Sequence, residues 1–209
     1  MKLLIPLLFP LVLAGCSLFG ENSVEDAPYT LLQSEQAQKI EVRNYESMVL
    51  VSSSITTDGM NSAFRNLFRY ITGENEGSAE IAMTAPVFMD ESDADSKGTE
   101  IAMTAPVFMN ERSEQQVMSF VMPADFTIQS TPKPTNPDVW ITEVKDYKVV
   151  VIKFSGLLSD SNVETQTQIL NSWIAKNGYT AISEPITAAY NGPFTIPWFR
   201  RNEVLIEVI

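Results

Sequence analysis

Two amphipathic helical windows, each set among strand-like runs in the same order, constrain this chain more than any other feature of it. In the first half Ile40-Glu41-Val42-Arg43-Asn44-Tyr45 alternates at period two, and Ser47 to Ser54 holds the β-rich run Met48-Val49-Leu50-Val51. A helix follows, with Met60, Phe64, Leu67, Phe68 and Ile71 on one face and Asn61, Arg65, Asn66 and Arg69 opposite; Asp58 is placed to cap it and Gly73 to stop it. The phrase EIAMTAPVFM comes next, then a strand over Val117 to Pro123. Prolines 132, 134 and 137 suit an extended connection to the second half. There Trp140 to Val144 and Lys148 to Phe154 read as strands, and Ser161 with Glu164 forms a capping box. Val163, Leu170, Trp173 and Ile174 give the second helix its apolar face, and Asn177-Gly178 ends it. Tyr179 to Tyr190 and Asn202 to Val208 complete the set of strands. Two βαββ-like halves of this kind imply an α+β fold, a twisted antiparallel sheet with two helices.

The N-terminus reads differently. Lys2 precedes the apolar run Leu3 to Leu13, which is too short to span a bilayer as a stable anchor. The run ends in Leu13-Ala14-Gly15-Cys16, which resembles the lipobox of bacterial lipoproteins. The expected organisation is a signal peptide over 1–15, a lipidated flexible tether over 16–37 and one folded domain over 38–209. Lipidation of Cys16 implies the cell envelope, and Ser17 after it resembles the residue type that directs Gram-negative lipoproteins to the outer membrane, facing the periplasm. Cys16 is the only cysteine, so the folded part has neither a disulfide nor a thiol nucleophile.

Most catalytic constellations are excluded by composition. The chain has no histidine, which removes the commonest general base, the usual metal ligand and any Ser-His-Asp triad. No zinc site of Cys/His type and no glycine-rich phosphate loop is present. The run Asp90 to Asp95 loosely resembles a calcium loop but lacks its glycine and its terminal glutamate, and reads as a solvated turn. Glu184 and Glu203 are carboxylates without a marked partner, so no enzyme is expected. With 14 Lys and Arg against 26 Asp and Glu the net charge is −12, which repels nucleic acid and leaves membrane attachment to the lipid. Nine methionines, among them Met83, Met89, Met103, Met109, Met118 and Met122 on strands, suit an adaptable pocket or plain core packing.

Several motifs together point further. The helix Phe64 to Asn75 leads into Ile81-Ala82-Met83-Thr84-Ala85-Pro86-Val87; later come Ser119-Phe120-Val121-Met122-Pro123, Phe154-Ser155-Gly156 and the run from Tyr190 through Arg200-Arg201-Asn202-Glu203-Val204. From about residue 38 onward this resembles the SOUL haem-binding family. The resemblance implies a distorted antiparallel β-barrel with two helices, binding haem or another tetrapyrrole in an apolar groove between the first helix and the late proline loop. Carried over by motif, the groove residues are Met60, Phe64 and Phe68 on the helix and Phe194, Trp198 and Phe199 on the loop. Arg200 and Arg201 are candidates to pair with haem propionates; the alternative is that Arg201 and Glu203 fix the last strand through an internal ion pair. Haem is thus the possible cofactor without a histidine to hold its iron, and Met60 and Tyr70 are the axial candidates nearest the groove. Another apolar ligand on the same fold, or an envelope lipoprotein with no ligand, are the competing readings.

EIAMTAPVFM itself occurs twice, at 80–89 and 100–109. One copy suffices for the family pattern: the first is correctly spaced from the helix, the second from Met118-Ser119-Phe120. An antiparallel hairpin between the copies is expected, with Met83 near Val107, Met89 near Ile101, and Pro86 and Pro106 at bulges or edges.

Overall fold

The computed structural model describes residues 25–55, 59–77, 79–82, 84–85, 87–90, 116–191 and 195–209. Its strands are β1 (Glu25–Asp26), β2 (Thr30–Glu35), β3 (Ile40–Ser54), β4 (Thr84–Ala85), β5 (Val87–Asp90), β6 (Val117–Val121), β7 (Val139–Phe154), β8 (Ile186–Ala189) and β9 (Asn202–Glu207). The helices are α1 (Met60–Ile71) and α2 (Asp160–Lys176). Six strands close an antiparallel barrel in the order β3-β6-β5-β8-β9-β7, β7 pairing back onto β3, and β2 adds to the outer part of β3. The order is symmetric, β3-β6-β5 mirroring β7-β9-β8, so the two halves expected from the sequence are present as an α+β distorted barrel with two helices.

Each pair of strands expected before a helix is in fact one long bent strand. Along β3 and β7 the register runs Tyr45 to Tyr147 and Ser47 to Lys145, and exposed Glu46 and Asp146 drop out between them, Asp146 at φ 52. The alternation inverts there. Before the bend Ile40 and Val42 lie under α2; after it Met48 and Leu50 fill the barrel, while Val49 and Val51 lie under α1. On β7, Tyr147, Val149 and Val151 face the barrel, and Val150, Ile152 and Phe154 face α2. The two strands thereby serve three apolar layers, with a helix on the outer side at each end.

The helix boundaries follow local chemistry. α1 ends in a Schellman arrangement, with Gly73 N–H donating to Tyr70 O and Glu74 N–H to Arg69 O, and Gly73 at φ 114. Gly59 precedes α1 without a side-chain cap; Asp58 is outside the described residues. α2 begins at Asp160 after Ser159, so the Ser161–Glu164 capping box is not formed, and it ends at Asn177 with Gly178 at φ 78. Buried Leu170, Trp173 and Ile174 are its core face, as expected. The proline connection packs on the end of α1 through Tyr70 Oη donating to Pro132 O (2.7 Å) and Glu76 N–H to Lys133 O (2.8 Å).

Two expectations are corrected. The tether does not extend to residue 37: Glu25–Asp26 pairs with Thr84–Ala85, Thr30–Glu35 pairs with β3, and Ala27 is buried. The domain therefore begins by about residue 25, because apolar and backbone partners wait for this segment on the barrel. The hairpin pairing of Met89 with Ile101 is not made either. β5 has both edges filled, Met89 standing opposite Met118 on one side and Thr187 on the other, and a strand has no third edge. The second copy, 100–109, and the turn from 91 lie outside the described residues.

Candidate functional site

α1 carries a wider apolar arc than the barrel uses. Ala63, Leu67, Tyr70 and Ile71 are buried against β3, β6 and β7, whereas Met60, Phe64 and Phe68 are 54%, 40% and 45% exposed. The last three recur at intervals of four, so they form a stripe along one side of the buried face. Phe64 and Phe68 stack with centroids 6.1 Å apart, and Phe64 meets the edge of Phe120 on β6 at 5.5 Å. The sequence had grouped Leu67 and Ile71 with this stripe; Ala63 and Tyr70 are the core residues it missed.

From Phe120 a single row crosses the sheet: Phe120 stands beside Val87, Val87 beside Ala189, and Ala189 beside Asn202. Three inter-strand steps set Phe120, on which the α1 aromatics rest, about 14 Å along the sheet from the base of the loop before β9. That loop holds a 3-10 turn, Pro197–Phe199, on which Trp198 is 73% and Phe199 47% exposed. Its base is fixed by three contacts: Gly156 N–H donates to Pro197 O (2.9 Å), Asn202 Nδ2 to Gly156 O (3.0 Å) and Arg201 N–H to Asn191 Oδ1 (2.7 Å). The Phe154-Ser155-Gly156 motif is thus a docking point for the loop, a role that its sequence did not reveal. The structure sets the helix stripe and Trp198–Phe199 on opposite sides of the β5–β8 pair. Phe194 lies outside the described residues.

The two arginines part company. Arg200 Nε donates to Thr195 O (2.8 Å) within the loop. Arg201 reaches Asp26 (2.7 Å) and Glu203 (3.0 Å) and lies over the Tyr190 ring, 3.6 Å from its centroid. Glu203 in turn receives both terminal nitrogens of Arg43 (2.8 and 2.9 Å) and the Tyr190 hydroxyl (2.7 Å), all inside the barrel. Burial alone would raise the Glu203 carboxyl, but the Arg43 and Arg201 guanidiniums hold it below the usual carboxylate range. Glu41 is held low in the same way, by Lys153 and Arg43 against its own burial. Arg43 is completed by the Tyr29 ring 4.4 Å beneath it. This plug joins β1, β3, β7 and β9, and among its six charged members cations and carboxylates balance.

Of the axial candidates, Tyr70 is 1% exposed and its hydroxyl is spent on Pro132, with burial pushing the phenol up to about 12. Met60 stays on the exposed stripe. A separate open groove of about 490 Å³ lies between β2 and α2, where Trp173 Nε1 donates to Glu35 (2.6 Å) beside Gln38, Ile169 and Lys176. It is mostly polar and contains none of the ligand-groove candidates carried over from the sequence.

Comparison with known proteins bears on this arrangement. The SOUL heme-binding protein family matches residues 24–97 and again 91–207. Human "Heme-binding protein 2" is 30% identical over 191 residues, covering 88% of this chain and 82% of its own. Among solved structures, the EcmrR C-terminal domain superposes with a TM-score of 0.55 at 14% identity, over 81% of this chain and 96% of that one. A hydrolase from Listeria innocua gives 0.57 at 10% identity, over 85% and 94%. These structural likenesses concern the barrel alone. The family match and the human relative, taken with the two-half barrel and its late proline loop, show that the chain belongs to the SOUL heme-binding protein family.

Proposed function

We propose that the protein binds haem or a related tetrapyrrole on the outer face of β5 and β8, between the α1 stripe and the 195–200 loop. One observation carries this reading. Met60, Phe64 and Phe68 form a contiguous apolar stripe that the core does not cover, at the edge of a sheet row leading to the loop. Singly exposed apolar residues are ordinary; a stacked aromatic pair with a third aromatic beneath it is a preformed flat surface. The human relative's name, "Heme-binding protein 2", points to the same ligand class.

The chain has no histidine, so binding rests on apolar contact and stacking, with Met60 as the sulfur that the stripe offers to a metal. Binding without catalysis fits a barrel in which Glu41 and Glu203 are already matched by Arg43, Arg201 and Lys153. An acidic surface disfavours nucleic acid. Separately, the Leu13-Ala14-Gly15-Cys16 motif followed by Ser17 supports our proposal that the protein sits in the bacterial envelope, joined to the outer membrane through lipid on Cys16 and facing the periplasm.

Hemin titration of the purified protein tests the ligand. A saturable Soret shift with quenching of tryptophan emission is expected, and neither change at micromolar hemin would dismiss the reading. The mass of the mature N-terminus tests the anchor separately. An acylated Cys16 is expected; an unmodified cysteine removes the envelope attachment and leaves the binding site standing.

A further inference from the structure

β5 is clamped on both edges, by β6 and β8, and its central residue Phe88 is 2% exposed inside the barrel. Just before it, Ile81 is buried under α1 and its N–H donates to Ile71 O (2.7 Å), while Thr84 is buried as well. All of these belong to EIAMTAPVFM at 80–89, and the identical segment stands at 100–109. The family pattern is matched over 24–97 with the first copy and over 91–207 with the second, so the chain carries one more of these segments than a single barrel has room for.

We propose that the opening between β6 and β8 is a strand-acceptor site that takes either copy, giving the chain two native registers twenty residues apart. An even shift keeps every side chain on its face, so Phe108 would enter the barrel as Phe88 does and Ile101 would take the place of Ile81. The flanking differences fall where side chains are not read. Asn75 bonds the N–H and carbonyl of Ala79 (3.0 and 2.8 Å), backbone groups that Thr99 supplies equally. Asp90 is held by pairing with Val117 and Ile186, in which Asn110 can replace it.

The connections trade places. With the first copy seated, residues 73–79 and 91–116 are the connecting segments; with the second, they become 73–99 and 111–116. One lengthens as the other shortens, and closure cost follows the logarithm of length, so the two changes nearly cancel. The proposed ligand face is unchanged, because Val107 would stand where Val87 stands in the row.

Reciprocal substitution in the full chain tests this. Phe88→Asp alone and Phe108→Asp alone should each lower the folded-to-unfolded ratio by no more than about tenfold. The double variant, with aspartate in either register, should lower it about a thousandfold or more. A chain lacking residues 80–99, identical in sequence to one lacking 90–109, should fold as a single-register control. Phe88→Asp or Phe108→Asp as damaging as the double, or a double that melts like the parent, overturns the proposal. A second readout is a cysteine pair at 109 and 118 in the Phe88→Asp chain, mapped by peptide mass: the disulfide is expected, and its absence in a folded protein also overturns the proposal.

Discussion

Arg43 and Glu203 meet inside the barrel as a two-pronged ion pair, both side chains fully buried and 160 residues apart in the chain. The pair ties β3 to β9 across the intervening β7, and the Tyr190 hydroxyl and Arg201 complete the carboxylate's shell. Removing one partner leaves an uncompensated charge where water does not reach. Arg43→Met should therefore destabilise by about 3–5 kcal/mol, and Arg43→Met with Glu203→Leu by clearly less, as measured by denaturant unfolding. The pH dependence has a definite sign. Glu203 and Glu41 have carboxyls lower in the fold than unfolded, so their stabilisation is complete above the ordinary carboxylate range and is lost as pH falls below it. The Arg43→Met chain should show a shallower loss of stability in acid.

Glu207 behaves in the opposite way. It is 7% exposed, one carboxylate oxygen has no hydrogen-bond partner, and burial raises it to about 7. A carboxyl raised in the fold binds a proton more tightly there than in the unfolded chain, so stability declines as pH rises from the ordinary carboxylate range through 7. Glu207→Gln should be neutral below about pH 4.5. Above pH 7.5 it should stabilise by about 1–2 kcal/mol, or roughly 2–8 °C in Tm, by thermal melts at paired pH values.

The difference between what could and could not be read from the residues has physical causes. The two-half plan, the core face of α2 and the stop at Gly73 rest on local periodicity and backbone preference, which a sequence displays directly. β2 was invisible because Thr30–Glu35 adds to the outside of β3 with its side chains largely exposed, leaving no alternation to detect. The bends at Glu46 and Asp146 were visible only as breaks: a strand that changes the face it buries looks like two strands. Arg43 sits in an alternating run at an inward position, and only its distant partner explains a buried cation there. The repeat misled in a different way, since two identical strand-forming segments suggest each other as partners until the sheet shows both edges of one of them filled.

Tyr70 separates the iron-ligand question from the fold. Its hydroxyl gives one hydrogen bond to Pro132 O, so Tyr70→Phe should cost about 1 kcal/mol, measured by thermal melts. With the ring buried and the phenol raised, the hemin spectrum of this variant should match the parent's in band position and intensity. A displaced Soret or charge-transfer band would show that the phenol reaches the metal.

Neighbouring positions on α1 should divide stability from binding. Leu67 is fully buried among Val49, Val51 and Phe120, and Leu67→Ala should cost about 2–5 kcal/mol. Phe68 is one residue away but 45% exposed, so Phe68→Ser should change stability by less than about 1 kcal/mol. If the stripe is the ligand face, losing the stacked ring removes roughly 1 kcal/mol of contact, so hemin affinity should drop about five- to tenfold. Met60→Ser should act in the same direction. Matched unfolding curves and hemin titrations of the three variants would decide the point. Unchanged affinity in both Phe68→Ser and Met60→Ser would move the binding surface off α1, whereas weakened binding in stable proteins locates it there without appeal to the fold.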